Sequence, residues 1–134
     1  MTLRVLVPSG VGLVLLLATF QGITTLTVMP WVVAGRSMEP ALLAGDRVLV
    51  DRWTYRQRAP RTGEIVLVRA PGGAAWVKRV AAHPGSSPDE LWVVGDNPSN
   101  SADSRQFGPL PRDAVRGRVF YCYWPPSRAG TVGR

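Results

Sequence analysis

Gly35-Arg36-Ser37-Met38-Glu39-Pro40 stands where this 134-residue chain changes character. Between Arg4 and Arg36 there is no charged residue, and Val11 to Phe20 is almost wholly apolar. From Asp46 onward, short apolar runs are punctuated by Gly and Pro. Reading the hexapeptide as a boundary therefore decides the fold, with an apolar anchor on one side and a strand-rich domain on the other.

On the upstream side, about 20 helical residues cross a bilayer core, so the segment from about Val5 to Thr27 is long enough to span one. Its glycines and threonines weaken it as a soluble helix but are tolerated in lipid, where the backbone bonds to itself. Pro30 and Trp31 mark the exit, the indole being suited to the headgroup boundary. The competing reading is a cleaved signal peptide, but cleavage near Ala34 would leave the boundary stretch at a frayed new terminus. Arg4 and Arg36 flank the span, so charge alone does not orient it.

On the downstream side, Arg47–Arg52, Glu64–Arg69, Ala75–Val80, Leu91–Val94 and Val115–Trp124 read as strands bounded by turn residues such as Gly63, Pro71-Gly72-Gly73 and Pro84-Gly85. No helical period persists after the anchor. The expected architecture is all-β and barrel-like, preceded by one N-terminal transmembrane helix. Residues 1–35 form the anchor and a short cytoplasmic end, 36–126 the domain, and 127–134 a tail expected to fray.

Composition narrows the function classes. With about 35 residues in a membrane, roughly 100 remain for one core, which excludes two independent soluble domains. The lone Cys122, in an apolar strand-like run, excludes an internal disulfide and reads as a small buried hydrophobe. No cluster of His and Cys offers a metal site, and no cofactor is expected. Net charge is +7, and of the 16 basic residues only Lys78 is a lysine. Coding bias accounts for an excess of Arg, but a site that needs a neutral amine cannot replace Lys by Arg, because guanidinium keeps its proton. The basic run Arg52-Trp53-Thr54-Tyr55-Arg56-Gln57-Arg58-Ala59-Pro60-Arg61 suits a solvated hairpin, anionic lipid or stacked single-stranded nucleic acid. Beside a membrane segment lipid is the nearer anion, and nucleic acid is not expected.

Three stretches carry chemistry: Gly35 to Pro40, Trp76-Val77-Lys78-Arg79-Val80, and Gly95-Asp96-Asn97-Pro98-Ser99-Asn100-Ser101-Ala102-Asp103-Ser104-Arg105. A serine alcohol is a poor nucleophile unless a base takes its proton. Strand alternation puts Lys78 opposite Val77 and Arg79, where burial among apolar neighbours would lower its pKa. In order and character the three stretches resemble the signature boxes of the type I signal peptidase family, membrane-anchored serine proteases with a Ser-Lys pair. The third is the most specific, a long match to G-D-N-x-x-x-S-x-D-S-R.

The resemblance implies Ser37 as nucleophile in an S-M-x-P box, Lys78 as general base, and Ser101 as the hydroxyl that orients the Lys78 amine. It implies Asp103 and Arg105 as a supporting ion pair and the Ser37 backbone N–H as an oxyanion donor. It places Trp31, Val33, Met38, Leu42, Trp76 and Val77 near small pockets for the residues just before the cut, and the catalytic domain outside the cytoplasm. The implied partners are preprotein signal peptides and membrane lipid.

Two departures from the pattern stand out. Some members carry a hydroxyl residue where this chain has Gly35, and the usual Gly-x-Pro-Gly-Asp after the lysine box is Ala82-His83-Pro84-Gly85-Ser86. His83 and the Asp96/Asp103 carboxylates offer other chemistries, but His83 lacks an acidic partner box and Asp96-Asn97 reads as turn chemistry. The short spacing from Lys78 to Gly95 is similar to that of mitochondrial inner-membrane peptidases and small bacterial processing proteases. A dedicated maturation protease with one substrate, or a non-catalytic peptidase-like module, are the alternatives to a general signal-peptide endopeptidase.

Overall fold

The computed structural model describes residues 27–133. The expected transmembrane helix and cytoplasmic end lie outside them. Among the described residues no helix is long and apolar enough to cross a membrane.

The domain is mostly β-sheet. In chain order its strands are β1 Val28–Val32, β2 Arg47–Asp51, β3 Ile65–Arg69, β4 Ala75–Val80, β5 Glu90–Leu91, β6 Val93–Val94, β7 Leu110–Pro111, β8 Val115–Trp124 and β9 Gly130–Thr131. Two four-residue helices interrupt them, α1 Thr54–Gln57 and α2 Ser104–Phe107. The main sheet runs β1-β2-β8-β3-β4-β6, and every pairing is antiparallel. β1 and β4 therefore run in the same direction. The order has open ends among the described residues, so hydrogen bonds do not close a barrel.

Ile65-Val66-Leu67-Val68 shows why the sheet sits where it does. All four residues are buried, as expected of a strand covered on both faces. Alternation sends Ile65 and Leu67 into a cluster with Met38, Leu42, Val48 and Val77. Val66 and Val68 go the other way, into a cluster with Val80, Leu91, Val93 and Leu110. β8 is long enough to pair with β2 along one edge and with β3 and then β9 along the other. Register shifts along the β2–β8 and β3–β8 ladders bend and twist it.

Three elements differ from the sequence reading. β1 lies inside the segment assigned to the anchor, and its Pro30 is compatible with pairing because β1 is an edge strand. The single strand expected over Leu91–Val94 divides into β5, which pairs with β7, and β6, which pairs with β4. Trp92 lies between them and stacks on His83 with ring centroids 3.7 Å apart. The described part of the tail packs on the domain: β9 pairs with β8, Val132 packs on the core, and the Arg128 guanidinium donates to Asp46 at 2.7 Å.

Candidate active site

Ser37 sits on the connection between β1 and β2. The base of that loop is closed by Val33 N–H to Asp46 O (2.9 Å) and Gly45 N–H to Val33 O (2.8 Å). Met38 and Leu42 plunge from it into the core, at 1% and 0% exposure, so the apolar spacing of the sequence fixes the loop from below. Gly35 has φ +78, a left-handed conformation in which a side chain is strained. A hydroxyl residue at this position would have to move the backbone, which is a physical reason for the glycine.

The Gly95–Arg105 segment holds the Ser37 loop from the other side. Asn97 N–H donates to Ser37 O at 2.9 Å, and Asn97 Nδ2 donates to Arg36 O at 3.1 Å. Gly95 is required by close approach. A Cβ there would lie 2.3 Å from Ser101 Oγ and 2.6 Å from Ser37 O. The glycine thus lets the Ser101 side chain and the Ser37 backbone meet across one residue.

Lys78 is 4% exposed. Its Nζ donates to Ser101 Oγ at 3.1 Å, and Ser101 Oγ donates to Asp103 Oδ2 at 2.5 Å. Asp103 is fully buried, and it also accepts from Gly95 N–H (2.8 Å), Arg105 Nε (2.9 Å) and Arg105 Nη2 (2.5 Å). The same carboxylate caps α2, accepting from Arg105 N–H at 3.1 Å. Gln106 reciprocates by accepting from Asp103 N–H at 2.8 Å, completing a capping box.

Electrostatics follow from these contacts. Burial pushes the Asp103 carboxyl up, but hydrogen bonds from Arg105, Gly95 and Ser101 outweigh it and hold the group far below the usual carboxylate range. Burial is the main force on the Lys78 amine and lowers its pKa; the Asp103 charge opposes this and Arg105 assists it. The Lys78 ammonium also lies 5.3 Å from the Trp76 ring centroid.

Ser37 and Lys78 line one cleft of about 430 Å³, with Trp31, Trp76 and Val77 on its walls. Among the described residues the Ser37 hydroxyl and the Ser37 N–H have no hydrogen-bond partner. Val33, Met38 and Leu42, expected beside the pockets, are buried in the core that contains Val77 and are not on the cleft wall.

One feature of the site escaped the sequence. Asp96, read as a turn former, makes a bidentate ion pair with Arg79 (2.8 and 2.7 Å), and Arg79 also donates to Gly63 O at 2.7 Å. The pair ties the residue after Lys78 to the residue before Asn97. The unequal sequence positions hid this; the signal present was an Arg beside the lone Lys.

The cleft, the buried amine and the clamped serine loop belong to a hydrolase of known lineage. The chain belongs to the signal peptidase, peptidase S26 family, whose family model matches residues 6–87 and 87–124. It is accordingly a serine endopeptidase. It is similar to a probable signal peptidase I-2 of a Synechocystis species, with 29% identity over 152 residues, covering 83% of this chain and 70% of the relative. It is also similar to human mitochondrial inner membrane protease subunit 1, 32% identical over 116 residues, with 72% of this chain and 70% of the relative covered. Subunit 2 of the same protease from Danio rerio is 35% identical over 117 residues, covering 72% of this chain and 64% of the relative.

Proposed function

We propose that this chain is a membrane-anchored endopeptidase that removes signal or leader peptides from exported preproteins by a Ser-Lys mechanism. The observation that carries the reading is the buried Lys78 amine, held by Ser101 in the cleft that Ser37 also lines. Burial keeps the amine ready to lose its proton. The Ser101 hydrogen is committed to Asp103, so Ser101 can only accept from the amine, which fixes one Lys78 N–H and leaves the lone pair to turn toward Ser37. Arg105 pairs with the Asp103 carboxylate and so offsets part of the rise that the Asp103 charge imposes on the Lys78 pKa.

Ser37 Oγ attacks the scissile carbonyl carbon as its proton passes to the neutral Lys78 amine. The carbonyl oxygen becomes an oxyanion, which the unpartnered Ser37 N–H is placed to stabilise. When the tetrahedral intermediate collapses, the C–N bond breaks and the Lys78 ammonium returns the proton to the leaving amine. Water then attacks the Ser37 ester as the Lys78 amine takes its proton; the bond from the carbonyl carbon to Ser37 Oγ breaks, the Lys78 ammonium returns the proton to Ser37 Oγ, and the acid is released with the neutral amine restored.

The substrate enters as a strand. Among the described residues β1 is the end of the sheet, and β4 has no partner along Ala75–Lys78 on the side away from β3, since β6 pairs with Arg79 and Val80. Trp31 of β1 and Ala75–Lys78 of β4 flank the same cleft, so a peptide laid between them adds the missing strand and completes the barrel. Residues before the cut run back from Ser37 and Lys78 toward Trp31 and Ala75. Small residues fit there because Trp31 and Trp76 fill the walls. The uncharged segment from about Val5 to Thr27 is the anchor, which holds the domain at the extracytoplasmic face.

Full-length protein in neutral detergent, incubated with a purified secretory preprotein, should release a new N-terminus after a small residue, and Ser37→Ala protein should not. An intact preprotein after prolonged incubation with folded enzyme would overturn the reading. Alkaline carbonate should leave the protein in the membrane pellet, and its release into the supernatant would remove the anchor from the proposal.

A further inference from the structure

Behind the wall formed by Trp31 and Ala75, the catalytic cleft gives way to a second groove of about 440 Å³ that shares these two residues. Its rim carries Arg52, Arg56 and Arg116, and no Asp or Glu lines it. All three arginines are exposed. None has a carboxylate partner among the described residues, whereas Arg58 and Arg118, two positions on from Arg56 and Arg116, are both turned onto Glu64. Arg56 Cζ lies 5.6 Å from the Trp53 ring centroid, and its side-chain N–H donors have no hydrogen-bond partner among the described residues. The Tyr55 hydroxyl is committed to Glu64 at 2.9 Å. The charged donors facing the groove are thus the three guanidiniums, which converge from the segment after β2 and from β8.

We infer that this groove is a substrate subsite that takes an acidic side chain upstream of the scissile bond. The inference rests on the peptidase reading above, in which residues before the cut run back along β1 and β4. Ala75 lies three strand positions before Lys78, or ~10 Å at about 3.3 Å per residue, so the groove meets substrate about four to seven residues before the cut. A carboxylate there meets unpaired arginines whose planar forks match its geometry. The apolar floor excludes some water from the pairs, while their exposure keeps them sensitive to salt. The continuity of the two grooves favours a peptide over a lipid headgroup, because a strand that leaves the first must cross the second.

The test uses full-length protein in neutral detergent and peptide pairs that differ only in Glu or Gln at one position about four to seven residues before the cut. At low ionic strength the Glu peptide at the best position should be cleaved with about tenfold higher kcat/KM, the difference lying mainly in KM. The ratio should shrink from roughly 50 to roughly 500 mM salt and fall to about one in an Arg52→Gln/Arg56→Gln/Arg116→Gln protein. Arg116→Glu should shift preference toward a Lys peptide, a gain that a misfolded variant cannot produce. Equal rates for Glu and Gln peptides at every position would overturn the subsite alone, while cleavage of neither by folded enzyme would overturn the peptidase reading with it. If the triple variant keeps the substrate ratio and instead loses binding to phosphatidylglycerol vesicles, the groove is a lipid site and the inference fails.

Discussion

Asp103 and Glu64 are two buried carboxylates with the same kinds of partner and different consequences. Asp103 receives a hydroxyl from Ser101, a guanidinium from Arg105 and a backbone N–H from Gly95. Glu64 receives a hydroxyl from Tyr55, a guanidinium from Arg58 and a backbone N–H from Arg61. Burial works against both charges, and the donors overcome it; Glu64 is lowered to about 2. The difference lies one atom further out. The Ser101 oxygen also accepts from Lys78, whereas burial and Glu64 push the Tyr55 phenol far above its ordinary value, so it stays a neutral donor with nothing beyond it. A carboxylate, a hydroxyl and an arginine make a strut anywhere; they serve chemistry only where the hydroxyl faces a group whose proton can leave.

The contrast is broken most directly at the end of the Asp103 chain. Lys78→Arg keeps the charge but supplies no neutral base, so kcat should fall by about 10³-fold or more, within the range for loss of a general base. Ser37→Ala should be equally inactive, and the double variant no worse than either single one, because the two act as a unit. Folded Lys78→Arg protein that cleaves a preprotein at the wild-type rate would remove Lys78 from the mechanism.

A smaller effect separates the two carboxylates themselves. Asp103→Ala should lower kcat/KM by roughly 10²-fold and also lower Tm, because it strips a partner from buried groups. Glu64→Gln should lower Tm by several degrees, from the loss of about 1–2 kcal/mol, yet leave kcat per folded molecule within about threefold. A Glu64→Gln protein that loses activity as steeply as Asp103→Ala would show that the strut is coupled to the chemistry. An Asp103→Ala protein that is inactive with unchanged Tm would make that carboxylate catalytic in its own right.

The mildest probe is pH, which acts on the two regions in opposite ranges. Lys78 has its pKa lowered in the fold, and activity needs the neutral amine, so kcat should rise with pH through that lowered pKa. Glu64 drops from 4.5 to about 2 on folding. The unfolded chain therefore takes up the proton first as pH falls. Its stabilisation is complete above about pH 4.5 and is lost progressively toward about pH 2. The unfolding free energy from denaturant melts should fall more steeply with falling pH across this interval in wild type than in Glu64→Gln, while equal pH slopes would show that other carboxylates dominate.

Much of this organisation was legible in the residues. The run Glu64 to Arg69 read as a strand, though its burial on both faces emerged only from the fold, and Gly95 to Arg105 held nearly all the groups that meet around Lys78. What stayed hidden depended on contacts between distant parts of the chain. Val28–Val32 continues an apolar run and contains a proline, so only its pairing with β2 marks it as a strand. Asp96 has the local sequence of a turn, and its ion pair with Arg79 appears only when β6 lies beside β4. Asn97 reaches carbonyls some sixty positions earlier, which no local pattern encodes. The tail lacked a strand signature because β9 is only two residues long, one of them a glycine, and takes an edge that β8 already presents.

The link between Arg128 and Asp46 makes the loop that carries Ser37 dependent on a distant part of the chain. Asp46 is 2% exposed, and one of its oxygens already holds Leu43 N–H at 2.9 Å in the loop that carries Ser37. Its only guanidinium partner among the described residues comes from 82 positions further along the chain. Without Arg128 in place, closing that loop would bury an uncompensated carboxylate. The finished geometry of the Ser37 loop therefore depends on docking of the segment around Arg128, a part of the chain remote from every proposed catalytic group.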